Sequence, residues 1–313
     1  MGATTTGTIY YQNEQQEATG LTGETILDTS LRAGINHLHA CGGHALCSTC
    51  RIIVDEGTEN LQPPTAEEQA MADKMGFTDQ IRLACQTHIN GPISIRRPVV
   101  DEVDLSIISQ DVRKSQSIGS EKCITALFTD IIGFTAFTEN TPPYDLVHIL
   151  NRYYFMSGTV IKANKGRIID YYGDGFLAIF GLDMDDSDQS TSQHAACAIQ
   201  AGRALYEMLL SLNEYLESLK YPGFRIRAGA HSGKAIVGQV GLEGMKKFGA
   251  FGDTINLASR IEQAGKTLGT SFLVSEETGN MARQSGLDYP TGRDFEIEVK
   301  GKTGAYRVTE VLV

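Results

Sequence analysis

The sequence of 313 residues has no tryptophan, only eight prolines and no surplus of basic charge: 27 lysines and arginines face 38 acids, for a net charge of −11. A nucleic-acid partner normally needs a basic face, so none is expected. No apolar run approaches the roughly 18 residues of a membrane span, and the amino-terminal stretch lacks a charged, apolar, cleavable leader. The chain is therefore expected to be cytoplasmic. Met1-Gly2-Ala3-Thr4-Thr5-Thr6 formally fits a myristoylation pattern, but the motif is short and its context offers no support. With only six cysteines and no sign of export, structural disulfides are not expected, and metal or redox chemistry comes first. Internal repeats and low-complexity tracts are absent as well.

What is present is ordinary in bulk. Hydrophobic residues make up 41% and charged residues 21%, and the length allows one or two domains, each with its own core. Four of the cysteines are organised. Cys41, Cys47 and Cys50 share one short loop, and Cys85 follows far downstream. Gly42, Gly43, Ala45 and Ser48 are small enough to let backbone amides turn towards a compact inorganic core. A structural zinc would more often use paired C-x2-C knuckles, and only one such pair exists. His37, His39 and His44 crowd the loop and invite a Rieske-type ligand set, but four cysteines already complete one, so the histidines are read as loop or surface residues. Cys123 and Cys197 fall in apolar patterns and are read as core thiols.

At these residues the segment resembles the 2Fe-2S ferredoxins, with five residues in the first cysteine gap as in the adrenodoxin-like branch. The resemblance implies a β-grasp domain over residues 1–100 whose cluster ligands are Cys41, Cys47, Cys50 and Cys85. Thr8-Ile9-Tyr10-Tyr11 reads as its first strand, Glu24 to Ala33 as a short amphipathic helix, and Arg82 to Gln86 as the carrier of the last ligand. Pro98 ends the domain, and residues 101–121 form a connector.

From residue 122 to 313, strand-like and helix-like patterns alternate. Residues 145–162 carry one apolar stripe (Leu146, Ile149, Leu150, Tyr153, Ser157, Val160, Ile161). Residues 194–220 carry another, from Ile199 and Gly202 through Leu205, Leu209, Leu212 and Leu216 to Leu219. Phe224 to Gly233 reads as a strand, with Lys234 to Val240 as its hairpin mate. Two carboxylates stand at the edges of apolar runs: Asp130 after Ile124–Phe128, and Asp174 between Gly173 and Gly175 at a hairpin tip. They could share hard divalent cations, with the backbone amides of Gly133, Phe134 and Thr135 cradling phosphates. They could equally be two turn aspartates. Asn256 and Arg260 stand four apart on a helix, where an amide and a guanidinium could orient a sugar and stabilise a phosphoryl group, or simply form a solvated face.

Four ordered motifs carry a resemblance over residues 122–311: Phe128-Thr129-Asp130-Ile131-Ile132-Gly133-Phe134-Thr135, Gly173-Asp174-Gly175, Arg227 to Gly233, and Gly252 to Arg260. Together they resemble the class III nucleotidyl cyclase catalytic domain. The resemblance implies an α+β, palm-like fold working as a homodimer with two shared active sites. It implies that Asp130, Asp174 and the carbonyl of Ile131 hold two Mg²⁺ or Mn²⁺ ions and that Arg227 binds phosphates. From the second copy, Asn256 would align the ribose, Arg260 would stabilise the pentacoordinate phosphorus, and Lys300, or alternatively Lys302, would bind the terminal phosphates. The family's two base-selecting positions are Asp170 and Gly249 here, neither of the adenine type. A carboxylate at 170 could accept from guanine N1–H and its 2-amino group, so GTP is favoured over ATP.

The expected function is cyclisation of a purine nucleoside triphosphate by two-metal catalysis, regulated through the cluster by an electron donor or oxidant. The alternatives are an adenylate cyclase that uses ATP despite Asp170 and Gly249, and a ferredoxin carrier joined to an inactive nucleotide-binding module. One electron alters the cluster by one charge, worth about 1 kcal/mol at roughly 15 Å in an effective dielectric near 20. Strong regulation would therefore need an element with two arrangements.

Overall fold

The computed structural model describes residues 4–98, 119–183, 188–241, 245–299 and 304–313. The myristoylation pattern at residues 1–3, most of the connector, Lys300 and Lys302 lie outside the described residues. The chain divides into two compact units, Met1–Ser120 with Gly241–Lys246, and Glu121–Val240 with Lys247–Val313. No helix among the described residues is long and apolar enough to cross a membrane.

The first unit is a five-stranded mixed sheet in the order β2-β1-β5-β3-β4, made of β1 (Thr5–Tyr11), β2 (Gln16–Leu21), β3 (Arg51–Glu56), β4 (Ile81–Leu83) and β5 (Ile93–Arg96). β1 and β5 run parallel and the other pairs antiparallel. That is a β-grasp sheet. Alternation along β1 and β3 sends Ile9, Tyr11, Ile52 and Val54 into the core, where α1 (Ile26–Arg32) buries Ile26 and Leu27. Thr25 caps α1 through a reciprocal pair with Asp28, which fixes where the helix starts. α2 (Ala66–Met75) starts from the side chain of Thr65 and ends on a left-handed Gly76.

The second unit is built on an eight-stranded sheet in the order β12-β13-β11-β9-β6-β8-β7, with β10 paired to β9 off that path. Its strands are β6 (Gly119–Ile131), β7 (Gly166–Tyr172), β8 (Gly175–Phe180), β9 (Ile226–Val240), β10 (Lys247–Phe251), β11 (Phe272–Ser275), β12 (Thr291–Glu298) and β13 (Ala305–Val311). α3 (Phe134–Glu139) follows β6. α4 (Pro143–Ala163), α5 (Asp188–Ser218) and α7 (Glu276–Gln284) share one apolar cluster with β8, β9 and β11. α6 (Asp253–Leu268) buries Leu257, Ala258 and Ile261 in two other clusters. Both predicted helical stripes face the core, apart from Leu219, which lies past the end of α5 and is exposed.

Two sequence expectations are corrected. β9 is one continuous strand, so Lys234–Val240 is not a hairpin mate of the preceding residues; the antiparallel partner is β10. Gly233 is absent from the positive-φ glycines, and a Cβ there would stand 2.8 Å from Thr254 Oγ1, so this glycine serves close packing against α6 and not a turn. Cys123 is half-buried, not a core thiol, while Cys197 is buried as expected. His37 stands in the loop, as expected, but not at the surface. It is buried, and its Nδ1 lies 3.0 Å from Ser30 Oγ, which also contacts Tyr11 Oη at 2.9 Å.

The close approach of α6 to β9 depends on Gly229, where a Cβ would meet the backbone nitrogen of Glu262 at 2.2 Å. Replacing Gly229 by Ala should push α6 off the sheet and cost about 1 to 3 kcal/mol, read as a Tm several degrees lower. An unchanged Tm would show that this contact does not set the packing.

Candidate active site and cluster loop

The cluster loop is assembled by strand pairing. Cys50 immediately precedes β3, Cys85 follows β4, and the pairing of Arg51 with Leu83 brings the two sulfurs to 3.5 Å. Cys41 and Cys47 sit on the irregular loop before β3 with their sulfurs in hydrogen-bond contact. Two thiolates on one tetrahedral ion, each about 2.3 Å from it, lie roughly 3.7 Å apart. The four thiols thus form two such pairs. Among the described residues no group of three or more His, Cys, Asp or Glu side chains is arranged to hold one metal ion. Backbone N–H groups of Gly43, His44 and Leu46 point at the Cys41 sulfur, and that of Ala45 points at Cys85. Such a cradle of donors suits an anionic dinuclear cluster held by Cys41 with Cys47 and Cys50 with Cys85.

Burial pushes the His37 imidazole down to about 4, so it stays neutral beneath the loop. His44 is exposed. Glu68 was not singled out in the sequence, yet it is 2% exposed and organises the residues around Cys85. Its carboxylate accepts from Arg82 at 2.8 and 2.9 Å, from the Leu83 amide at 2.8 Å and from Thr87 Oγ1 at 3.3 Å. The readable signal was an acid on the inward stripe of α2, shared with Met71.

In the second unit the two aspartates come together. Asp130 ends β6, and Asp174 stands at the tip of the β7–β8 hairpin. Gly175 permits this meeting, because a Cβ there would lie 2.1 Å from the carbonyl oxygen of Thr129 on β6. Burial and the neighbouring Asp130 carboxylate hold the Asp174 carboxyl up to about 6, while the Ile131 amide donates to it. Two carboxylates pressed together this way suit a shared divalent cation. The counter-charge present is Arg227 on β9, whose Nη2 donates to Asp130 at 2.7 Å and whose Nε donates to Glu262 at 3.3 Å. Arg227 is thus clamped between two carboxylates in this structure.

Glu262 is the second residue that sequence reasoning missed. It is 8% exposed, and burial together with Asp130 raises its carboxyl above the ordinary value. Its signal was a carboxylate on the apolar stripe of α6 beside Leu257, Ala258 and Ile261. Asn256 and Arg260 lie on the same helix but are exposed. At about 100° per residue, Glu262 is roughly 160° from Arg260 and 120° from Asn256, whereas Asn256 and Arg260 are about 40° apart. One copy of α6 therefore turns Glu262 to its own Asp130–Arg227 pair and turns Asn256 and Arg260 elsewhere.

Gly133, Phe134 and Thr135 form the start of α3, with Gly133 and Thr135 exposed. Ile131 is buried at the end of β6. Asp170 and Gly249 lie on β7 and β10. The Asp170 carboxylate is not free: its Oδ1 accepts from the Tyr171 amide at 2.9 Å and pairs with Lys247.

The sign of the Asp174 shift gives a test. Its folded value lies above the ordinary 3.8, so the charged form opposes folding at all pH above about 6, and this penalty fades as the pH falls towards 4. At pH 7.5 without divalent cation, Asp174→Asn should raise Tm, and it should also abolish the Tm rise that Mn²⁺ gives the unaltered protein. A full Mn²⁺ response in the variant would show that cations bind elsewhere.

Comparison with known proteins agrees with this geometry. Residues 117–310 match the family model for the adenylate and guanylate cyclase catalytic domain, and residues 9–90 match that for the 2Fe-2S iron-sulfur cluster binding domain. The chain is 31% identical over 231 residues to adenylate cyclase 1 of Rhizobium meliloti, covering 72% of this chain and 34% of that one. It is 29% identical over 203 residues to a receptor-type guanylate cyclase, gcy-13, of Caenorhabditis elegans, covering 62% of this chain and 18% of that one. The chain thus spans about a third or less of the length of these curated relatives. Among solved structures, the adenylyl cyclase CyaB from P. aeruginosa superposes with a TM-score of 0.55 at 26% identity, covering 62% of this chain and 95% of that chain. With the catalytic-domain model matching well over half its length, the chain belongs to the class III adenylate and guanylate cyclase family and carries a 2Fe-2S domain ahead of the cyclase domain.

Proposed function

We propose that the protein is a homodimeric nucleotidyl cyclase that converts a purine nucleoside triphosphate to the 3′,5′-cyclic monophosphate and pyrophosphate. The observation that carries this reading is the contact between Asp130 and Asp174, with Arg227 as their counter-charge. Asp130, Asp174 and the carbonyl of Ile131 would hold two Mg²⁺ or Mn²⁺ ions. When bound, such ions supply charge neutralisation at the α-phosphate and a lower pKa for the ribose 3′-hydroxyl.

The rest falls to the chain itself. The 3′-oxygen attacks the α-phosphorus while the bond to the pyrophosphate oxygen breaks in line, so negative charge grows on the leaving group. Amides at Gly133, Phe134 and Thr135 would bind the phosphates, and Arg227, released from Asp130 but still held by Glu262, would donate to them. Asn256 and Arg260 of a second copy would fix the ribose and stabilise the charged phosphorus, because their face of α6 points away from their own metal carboxylates. Lys300 or Lys302 would contact the terminal phosphates.

Purified protein with Mn²⁺ should release cyclic nucleotide, and Asp130→Ala or Arg260→Ala should each lower kcat by about 10²-fold or more. Mixing the two inactive variants should restore up to about a quarter of the unaltered rate, since half the dimers would be mixed and each would carry one intact site. Failure of the mixture to recover activity would rule out a shared site. Absence of any product from the unaltered protein would leave the non-catalytic binding module as the better reading.

The first unit would hold its 2Fe-2S cluster on Cys41, Cys47, Cys50 and Cys85, where it would exchange single electrons with a donor or oxidant. We infer that its redox state sets the cyclase rate. Oxidised protein, reduced protein and a cluster-free Cys85→Ser variant should differ in kcat by at least severalfold, with the visible absorbance of the cluster reporting its state. Equal rates in all three would reduce the cluster to a structural element.

A further inference from the structure

The guanine preference expected from Asp170 requires a carboxylate with acceptor sites to spare, and the structure spends most of them within the chain. An ionised carboxylate offers about four acceptor sites. Oδ1 of Asp170 takes the Tyr171 amide and the Lys247 ammonium, and the Tyr172 hydroxyl also donates to this carboxylate. About one site is left. Lys247 is 61% exposed, spends one N–H on Asp170, and keeps two to offer.

The second base position is also altered in a definite way. Side chains at 247, 249 and 251 of β10 alternate onto one face of the strand. Gly249 contributes none, and a Cβ there would lie 2.8 Å from the ring of Phe251, so that ring covers the place a side chain at 249 would fill. Position 249 is therefore flanked by a cation two residues before it and an aromatic ring two residues after it. The cation is tied to the other base position, Asp170.

We propose that Lys247 and Asp170 read the nucleobase as a pair and that the pair selects ATP over GTP. The proposal rests on the cyclase reading above. Adenine presents one acceptor, N1, and one donor, the 6-amino group. Lys247 can donate to the first, and the remaining acceptor site of Asp170 can take the second. Guanine presents O6 as an acceptor and two donors, N1–H and the 2-amino group. The pair satisfies O6 and one donor and leaves the other donor unpaired. A donor left without a partner lowers selectivity for its ligand, by about tenfold where the bound base is shielded from water. The Phe251 ring supplies an apolar surface beside the base and is indifferent to its polar edge.

The test is the ratio of kcat/KM for ATP to that for GTP, measured with Mn²⁺ on the unaltered protein, Lys247→Met, Lys247→Arg and Asp170→Ala. The unaltered protein should favour ATP by about tenfold. Lys247→Met frees the carboxylate and should shift the ratio about tenfold or more towards GTP, while Lys247→Arg, which keeps a donor there, should stay on the ATP side. Asp170→Ala removes one pair from each base and should lower kcat/KM for both nucleotides. Thermal unfolding of each variant separates a lost fold from a changed preference. A Lys247→Met ratio within twofold of the unaltered value, or an unaltered protein that favours GTP, overturns the pair as the base reader while leaving the cyclase reading intact. If the unaltered protein turns over neither nucleotide, the cyclase reading itself fails and the proposal falls with it.

Discussion

The second unit is arranged around one electrostatic problem: the partly buried Asp130 and the buried Glu262 share the guanidinium of Arg227, and Asp174 presses against Asp130. Burial raises the cost of each negative charge, and proximity raises it again. A structure selected for stability alone would have placed apolar residues here. The arrangement persists because the fold over-determines it. β6 fixes Asp130, the hairpin tip fixes Asp174 through the close approach at Gly175, and Gly229 draws α6 near enough for Glu262 to reach β9. Strain of this kind is the expected signature of a cation site.

Arg227 then has two roles that compete. Without divalent cation its charge is what keeps Asp130 tolerable in the interior, at 2.7 Å. On the proposed reading, a cation at the carboxylates would remove that demand, and Glu262 would retain the guanidinium at one end while the other end became available to an incoming phosphate. The same residue can therefore serve the empty and the loaded site without leaving the pocket. Glu262 makes this possible by being an anchor that does not need the metal.

Much of this was legible in the sequence and some was not, for identifiable reasons. The four cysteines were readable because their spacing is chemically restrictive, and so were the apolar stripes of α4 and α5, because core packing imposes helical periodicity. Asp130 and Asp174 were readable as edge carboxylates. Lys234–Val240 was misread because a Ser-Gly-Lys sequence looks the same whether the glycine makes a turn or admits a neighbouring helix, and only the packing of Thr254 against Gly233 distinguishes them. Glu68 and Glu262 were passed over because an acid on an apolar stripe reads as an interruption of the pattern until its cationic partner, distant in sequence, is seen. Lys247 was invisible for the same reason: its significance lies wholly in its contact with Asp170 across the sheet.

The geometry of α6 ties the fold to assembly. A helix has only one circumference, and this one devotes an arc to the core, an arc to the Arg227 clamp through Glu262, and the remainder to Asn256 and Arg260. The chemistry needs both ends of that division at a single nucleotide, since the carboxylates localise charge and the exposed pair orients the sugar and phosphorus. Bending or rotating α6 to bring them together within one copy would tear Leu257 and Ile261 from their clusters, each costing about 2 to 5 kcal/mol. A second copy presenting the opposite face of its own α6 avoids that cost entirely. On the proposed reading, dimerisation would follow from the helix's geometry before it served regulation. Any signal from the cluster domain that changed how two copies meet would act on catalysis directly, without needing to perturb a single bond inside either carboxylate site.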